Sequence, residues 1–140
     1  MFGKELQYTI ILDRELKNAN NGQSKHWSNS HRERKAWTTA VNGCWIRDAS
    51  GCEHHPDDWF DCDPDPDQKI GLIVTRFLGK RQRLWDPDSV LRGNAKQCID
   101  ALIAAGVAVD DSPTFVEWVI GVQDDSNKEA GPYTTVEVYK

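Results

Sequence analysis

A chain of 140 residues, 39% hydrophobic and 28% charged, has the size and composition of one soluble globular domain, which excludes a disordered or fibrous polymer. No apolar run approaches the roughly 18 residues of a membrane span, and Met1–Gln7 lacks the apolar core of a secretory signal, so the expected compartment is the cytoplasm. The formal net charge of −5 argues against a uniformly basic nucleic-acid binder, and Cys44, Cys52, Cys62 and Cys98 are expected to be mostly reduced.

Leu6–Leu12 is rich in β-formers and predicts a first strand, broken by the polar run 18–22. From Ser30 to about Ile46 the pattern turns helical. Ser30 and Glu33 read as a capping box, and Ala36, Trp37, Ala40, Val41 and Trp45 recur at helical spacing. The Pro- and Asp-rich stretch at about 48–68 reads as an exposed acidic insertion, because proline removes donors and the acids repel one another. Lys69–Leu78 predicts a second strand, 79–82 a turn, and Arg83–Trp85 a short third strand ending at Asp86. Asp88 or Ser89 would cap a helix running to about Ala105, with Val90, Leu91, Ala95, Cys98, Ile99, Leu102 and Ile103 on its apolar stripe and Gly106 as its stop. Thr114–Val122 and Tyr133–Tyr139 close the chain as strands. The order β-α-β-β-α-β-β predicts one α+β domain over 1–140, a mixed β-sheet packed with helices.

The net charge hides strong blocks. Residues 1–47 carry a net +4 and residues 68–96 a net +5, whereas 48–67 hold eight acids with no base and 97–140 carry a net −6. Each block alone is equally consistent with a solvated surface. Together, two basic blocks beside an acidic cluster suit a polyanionic substrate, with Lys25, Arg32, Arg34, Lys35, Arg76, Lys80, Arg81, Arg83 and Arg92 as candidate phosphate contacts. Trp37 fits the core by its spacing; Trp27 is undecided between core and base stacking.

The acidic cluster comprises Asp86 and Asp88 on either side of Pro87, Lys96 and Asp100 in the helical pattern, and Asp110–Asp111 just beyond it. Residues two apart in extended chain point the same way, and the intervening proline stiffens that geometry. Carboxylates so paired hold a hard cation such as Mg²⁺ and leave coordination positions for a substrate phosphate. Helix capping accounts for one of the two acids and not for both. An alternative ligand set, Cys44, Cys52, His54, His55 and Cys62, contains zinc-binding residue types at a spacing that matches no common zinc module.

The run Asp86-Pro87-Asp88-Ser89, then Lys96 with Asp100-Ala101-Leu102, then Gly106 followed by Asp110-Asp111, resembles the RusA family of Holliday-junction endonucleases. The resemblance covers residues 68–123 and extends loosely over the N-terminal strand and basic loop. It implies a RusA-like fold working as a homodimer, with Asp86, Asp88 and Asp111 as metal-binding carboxylates, Lys96 as the essential lysine, and Mg²⁺ (Mn²⁺ able to substitute) as cofactor. The implied activity is resolution of four-way or other branched DNA in recombination and repair, in a bacterial or phage-infected cell. Two departures stand out. Ser89 replaces the family's asparagine, and the lysine expected four residues after Asp88 is Arg92, with Lys96 one helical turn further on. A catalytically altered DNA-binding module and a zinc-stabilised interaction protein are the alternatives.

Overall fold

In the computed structural model of the protein, which describes residues 2–17, 27–60 and 64–140 (27–30 by backbone alone), six strands form one mixed sheet. The strands β1 (Leu6–Leu12), β2 (Trp45–Asp48), β3 (Glu53–His54), β4 (Ile70–Phe77), β5 (Val116–Asp124) and β6 (Tyr133–Tyr139) lie in the order β3-β2-β1-β6-β4-β5. The β4–β5 pair is parallel and every other neighbouring pair is antiparallel. Helices α1 (Trp27–Asn42), α2 (Pro56–Trp59) and α3 (Ala95–Ala105) accompany the sheet, with a 3₁₀ turn at Pro87–Ser89. The α+β class and the mixed sheet agree with the sequence reading. The order does not: the chain runs β-α-β-β-α-β-α-β-β.

Alternation sets the core. Tyr8, Ile10 and Leu12 of β1, Leu72 and Val74 of β4, and Val136 and Val138 of β6 share one face and meet Trp37 and Val41 of α1 and Cys98, Ala101 and Leu102 of α3. Each fully buried side chain of this size contributes about 1.5–3 kcal/mol. The register puts Ile73, Phe77, Ile120, Tyr133 and Tyr139 on the opposite face, where the Phe77 and Tyr133 rings stack at 4.4 Å. Val116, which strict alternation would place with Trp118, Ile120 and Val122, turns instead to the core because the β4–β5 register shifts between Ile70 and Gly71. Among the described residues no helix is long and apolar enough to cross a membrane.

The sequence reading misplaces four local features. Helix α1 begins before Ser30 and ends at Asn42, so Ser30 and Glu33 form no capping box. Gly43 opens the turn after it, and the β-favouring Trp45 and Ile46 pair with Ile11 and Ile10. The stretch 48–68 is not simply an exposed insertion. Pro56 starts α2 where its missing N–H costs nothing, with Asp57 and Asp58 in its first turn. Pro56 is buried, and Trp59 sits edge-on to Tyr8 at 5.5 Å. Residues 83–85 form no strand: Trp85 is paired by the Gln123 side chain rather than by a neighbouring backbone. The helix drawn from residue 88 starts only at Ala95, since Gly93, beyond the end of the 3₁₀ turn, takes a φ of 79° that a right-handed helix does not contain and leaves Asn94 as N-cap.

Candidate functional site

Strand β4 delivers the chain to the acidic cluster, and Gln123 fixes its arrival. Gln123 faces Arg76 across the β4–β5 pair. Its Oε1 accepts from the Trp85 backbone N–H (2.8 Å) and from Arg76 Nη1 (2.8 Å), while its Nε2 donates to the Trp85 carbonyl (3.0 Å). One amide side chain thus satisfies both main-chain groups of the residue preceding Asp86. Asp86 is extended (φ −56°, ψ 143°), Pro87 opens the 3₁₀ turn, and Ser89 N–H bonds the Asp86 carbonyl at 2.9 Å. Asp86 and Asp88 are both exposed.

Two ion-paired groups divide the acids. Arg92 donates to Asp88 at 3.0 Å, an exposed pair that contributes little stability. Lys96, in the first turn of α3, bonds Asp100 at 2.9 Å and also meets Asp111. The closure with Asp111 follows from the end of α3. Gly106 adopts φ 112°, its N–H and that of Val107 bond the Ile103 and Leu102 carbonyls, and buried Val107 and Ala108 anchor the return. Asp110 Oδ1 then accepts the Asp111 N–H at 2.8 Å. The hydrogen bond from Lys96 holds the Asp111 carboxyl below its ordinary range. Reciprocally, Asp111 first and Asp100 second hold the Lys96 ammonium above its own. Lys96 is therefore a cation at neutral pH. Arg34 of α1 approaches Asp100 at 3.9 Å and brings the basic face of α1 to the edge of this group.

Asp86, Asp88 and Asp111 supply carboxylate oxygens, the donor type Mg²⁺ takes. Their chemistry fits that ion, although Asp88 and Asp111 are engaged by Arg92 and Lys96. Among the described residues no three His, Cys, Asp or Glu side chains are gathered as a metal cluster. Of the alternative zinc set, Cys44 is buried, Cys52 is exposed, His54 bonds Asp48 at 2.7 Å, His55 packs on Trp45, and Cys62 lies outside the described residues.

Of the predicted phosphate contacts, Arg32, Arg34, Lys35, Lys80, Arg81, Arg83 and Arg92 are exposed, with Lys80 near Glu129 at 3.9 Å. Lys25 lies outside the described residues. Arg76 is corrected: it alternates onto the core face of β4, is 3% exposed, and stacks on Trp85 with 3.6 Å from its guanidinium carbon to the ring centroid. Trp37 and Cys98 are core, as their spacing predicts.

Two organising residues, Gln123 and Asn94, went unread in the sequence, and a third, Glu33, reads there as a helix cap. Gln123 is the polar member of a core-facing alternation with Val119 and Gly121, and that break in phase was its signal. Asn94 is 5% exposed, accepts the Lys17 N–H at 2.8 Å and donates to Glu33 at 3.2 Å; its signal was its place between Gly93 and an apolar run. Glu33 also takes Arg14 at 2.8 Å. Burial pushes its carboxyl up, but hydrogen bonds from Arg14 and Asn94 outweigh that and leave it below the usual range. No protein-family model, curated protein or solved structure matches this chain.

Proposed function

We propose that the chain is a Mg²⁺-dependent endonuclease acting on branched DNA, four-way junctions above all, as a homodimer. The observation that carries this reading is the meeting of Lys96 with both Asp100 and Asp111, which joins on one side chain the segments that make the resemblance specific. It supports Lys96 over Arg92 in the role of the essential lysine, since Arg92 is engaged by Asp88 instead.

In this reading Asp86, Asp88 and Asp111 hold Mg²⁺, which supplies charge stabilisation at the scissile phosphodiester. Lys96, kept protonated by its carboxylate neighbours, offsets charge developing on the phosphate or leaving oxygen. Arg34 and the exposed cations of α1 hold flanking phosphates, and Gln123 keeps the Asp86 backbone in place through Trp85. Two sites related by a dimer axis would nick opposing strands.

One observation favours a second reading, a DNA-binding module with lost chemistry: Asp88 and Asp111 each carry an internal cation that a metal would have to displace. Cleavage of a four-way junction against linear duplex, with and without Mg²⁺, separates the two. Asp88→Asn is expected to abolish Mg²⁺-dependent cleavage and leave junction binding intact. Lys96→Ala should slow it about a hundredfold or more, and Arg92→Ala much less. Retained cleavage in Asp88→Asn overturns the assignment of the site. Binding without any cleavage by the unaltered chain establishes the second reading.

A further inference from the structure

Strand β5 ends the sheet, with β4 on one side and no strand on the other among the described residues. The Leu78 N–H bonds the Asp124 carbonyl, so alternation turns the main-chain groups of Ile120, Val122 and Asp124 toward β4 and those of Val119, Gly121 and Gln123 outward. Among the described residues no group bonds those outward donors and acceptors. Natural sheets guard a bare edge with short strands, proline, charge or bulges. The opposite edge obeys this, since β3 is two residues long. β5 does not. It runs for nine residues, and 118–123 hold neither proline nor charge, with the register shift lying before Trp118. Both flanks of the edge are apolar. On the helix side stand Val119 and Leu91, whose Cγ lies 3.0 Å from where a Cβ on Gly121 would be. On the other side stand Ile120 and Val122. Leu91 is 37% and Val122 40% exposed.

Only a polypeptide strand offers donors and acceptors in the alternation this edge presents, and the sequence of β5 fits a second copy of itself. With a twofold axis normal to the sheet at Ile120, β5 pairs antiparallel along its full length with β5 of the second copy. Opposed residues then share a face: Ile120 stands against Ile120, Trp118 against Val122, and Val119 against Gly121. Val119 and Gly121 both face outward, so they exchange backbone hydrogen bonds across the seam. Leu91, seated over Gly121, meets Val119 of the second copy. Toward the ends Glu117, which Lys4 holds at 3.2 Å, falls beside the neutral Gln123, so no like charges are opposed. Moving the axis to Val119 or to Gly121 leaves residues of the strand unpaired at one end. We infer that β5 is a self-association surface that joins two copies of this chain into one continuous sheet. The 3₁₀ turn packs beside β5, so Asp86 and Asp88 of both copies would lie on one face and flank the seam. Paired nicking by those two sites rests on the proposed function; the pairing of the strands does not.

A seam about 30 Å long and one sheet thick is at the small end of specific interfaces, so micromolar self-association is expected. Sedimentation velocity of the full chain between about 1 and about 100 μM should show a monomer–dimer equilibrium. Ile120→Lys sets a lysine against itself, and Ile120→Glu a glutamate, so each alone should stay monomeric with an unchanged circular-dichroism spectrum. An equimolar mixture of the two should dimerise again. No other residue of the strand opposes itself, so rescue by mixing fixes the register. Where the charged variants do not fold, Ile120→Cys decides the matter in a Cys52→Ser, Cys62→Ser background. It should cross-link into a dimer on mild oxidation, because a non-hydrogen-bonded antiparallel pair holds its Cα atoms about 4.5 Å apart, within disulfide range. The inference is overturned if the chain stays monomeric throughout that range, if Ile120→Cys does not cross-link, or if a folded Ile120→Lys remains dimeric. Species growing beyond the dimer would overturn it too, since they mark head-to-tail pairing. A chain that dimerises through Ile120 and cuts no junction fails the proposed function alone; one that cuts and fails these tests fails this inference alone.

Discussion

Replacing Gln123 by leucine removes three hydrogen bonds while keeping the side chain's approximate volume. The Trp85 N–H and carbonyl lose their partners, at 2.8 and 3.0 Å, and Arg76 Nη1 keeps the Arg83 carbonyl but loses the amide oxygen at 2.8 Å. Two neutral hydrogen bonds at about 1 kcal/mol each, and one from a charged donor at about 1.5–3 kcal/mol, set an upper figure of about 5 kcal/mol. All three bonds are half-buried, so water recovers part of the loss, and the expected destabilisation is about 2–4 kcal/mol. Urea unfolding should show a lower midpoint at unchanged slope, and amide exchange at Trp85 should accelerate more than exchange in β1. Gln123→Glu keeps the acceptor and adds a counter-charge for Arg76, losing only the donor to the Trp85 carbonyl, so it should cost about 1 kcal/mol. A loss below about 1 kcal/mol in the leucine variant, with Trp85 exchange unaltered, would refute the idea that this amide holds the approach to Asp86.

Asn94→Ala removes the bonds to Lys17 and Glu33 at a residue 5% exposed, and should cost about 2–3 kcal/mol by calorimetric melting; a cost under 1 kcal/mol contradicts its role as the tie between α1 and α3. Gly121→Ala would bring a Cβ to 2.9 Å from Val90 Cβ and 3.0 Å from Leu91 Cγ, an overpacking of about 1–3 kcal/mol, whereas Gly43→Ala meets only the Thr39 carbonyl at 3.7 Å and should be close to neutral. Equal costs for the two would show that the sheet yields at Gly121. Hydrogen bonds from His54, then Ser50, hold the Asp48 carboxyl well below its ordinary range. A depressed folded-state pKa stabilises the fold above the unfolded aspartate value of about 3.9, and that contribution disappears as pH falls through the folded value. The stability gap between the unaltered chain and Asp48→Asn should therefore narrow below about pH 4; a gap constant from pH 6 to pH 2 rejects the linkage.

Periodicity made the strands β1, β4, β5 and β6 and the apolar stripe of α3 legible, because a residue's face follows directly from spacing in a regular element. It failed where the backbone is held by a side chain at long range. Trp85 reads as the end of a strand by residue type, and its N–H and carbonyl are indeed both bonded, but the partner is a side-chain amide 38 residues away. Arg76 reads as a surface cation because its residue type is usually exposed. Its position fixes it inside, two residues on from Val74 on the same face, and the bonds to Gln123 and the Arg83 carbonyl, the Trp85 ring and the nearby charge of Glu15 make that placement tolerable. The 48–68 stretch was misjudged from its average composition, which hides Pro56, Trp59 and Phe60 as the residues that turn inward.

Long-range backbone support also explains the position of Lys96. If residues 88–105 were one helix, Arg92, Lys96 and Asp100 would lie on a single face, and two cations would compete for one position. Gly93, with φ 79°, prevents that helix. Leu91–Asn94 lie in the bend between the 3₁₀ turn and Ala95, where chain length can change without rotating α3. Lys96 keeps its phase to Asp100 because both lie within α3, and keeps its contact with Asp111 because Gly106 folds the return segment against the same helix. Arg92, left outside the helix, turns to Asp88. Leu91–Asn94 therefore separate the two halves of the acidic cluster along the chain while leaving the lysine half internally intact. Deleting Leu91–Asn94 should place Lys96 four residues after Asp88. If the intact half is the functional one, that deletion alters junction cleavage less than Lys96→Ala does. A deletion variant that folds and yet cleaves as poorly as Lys96→Ala would put the functional spacing between Asp88 and the lysine instead.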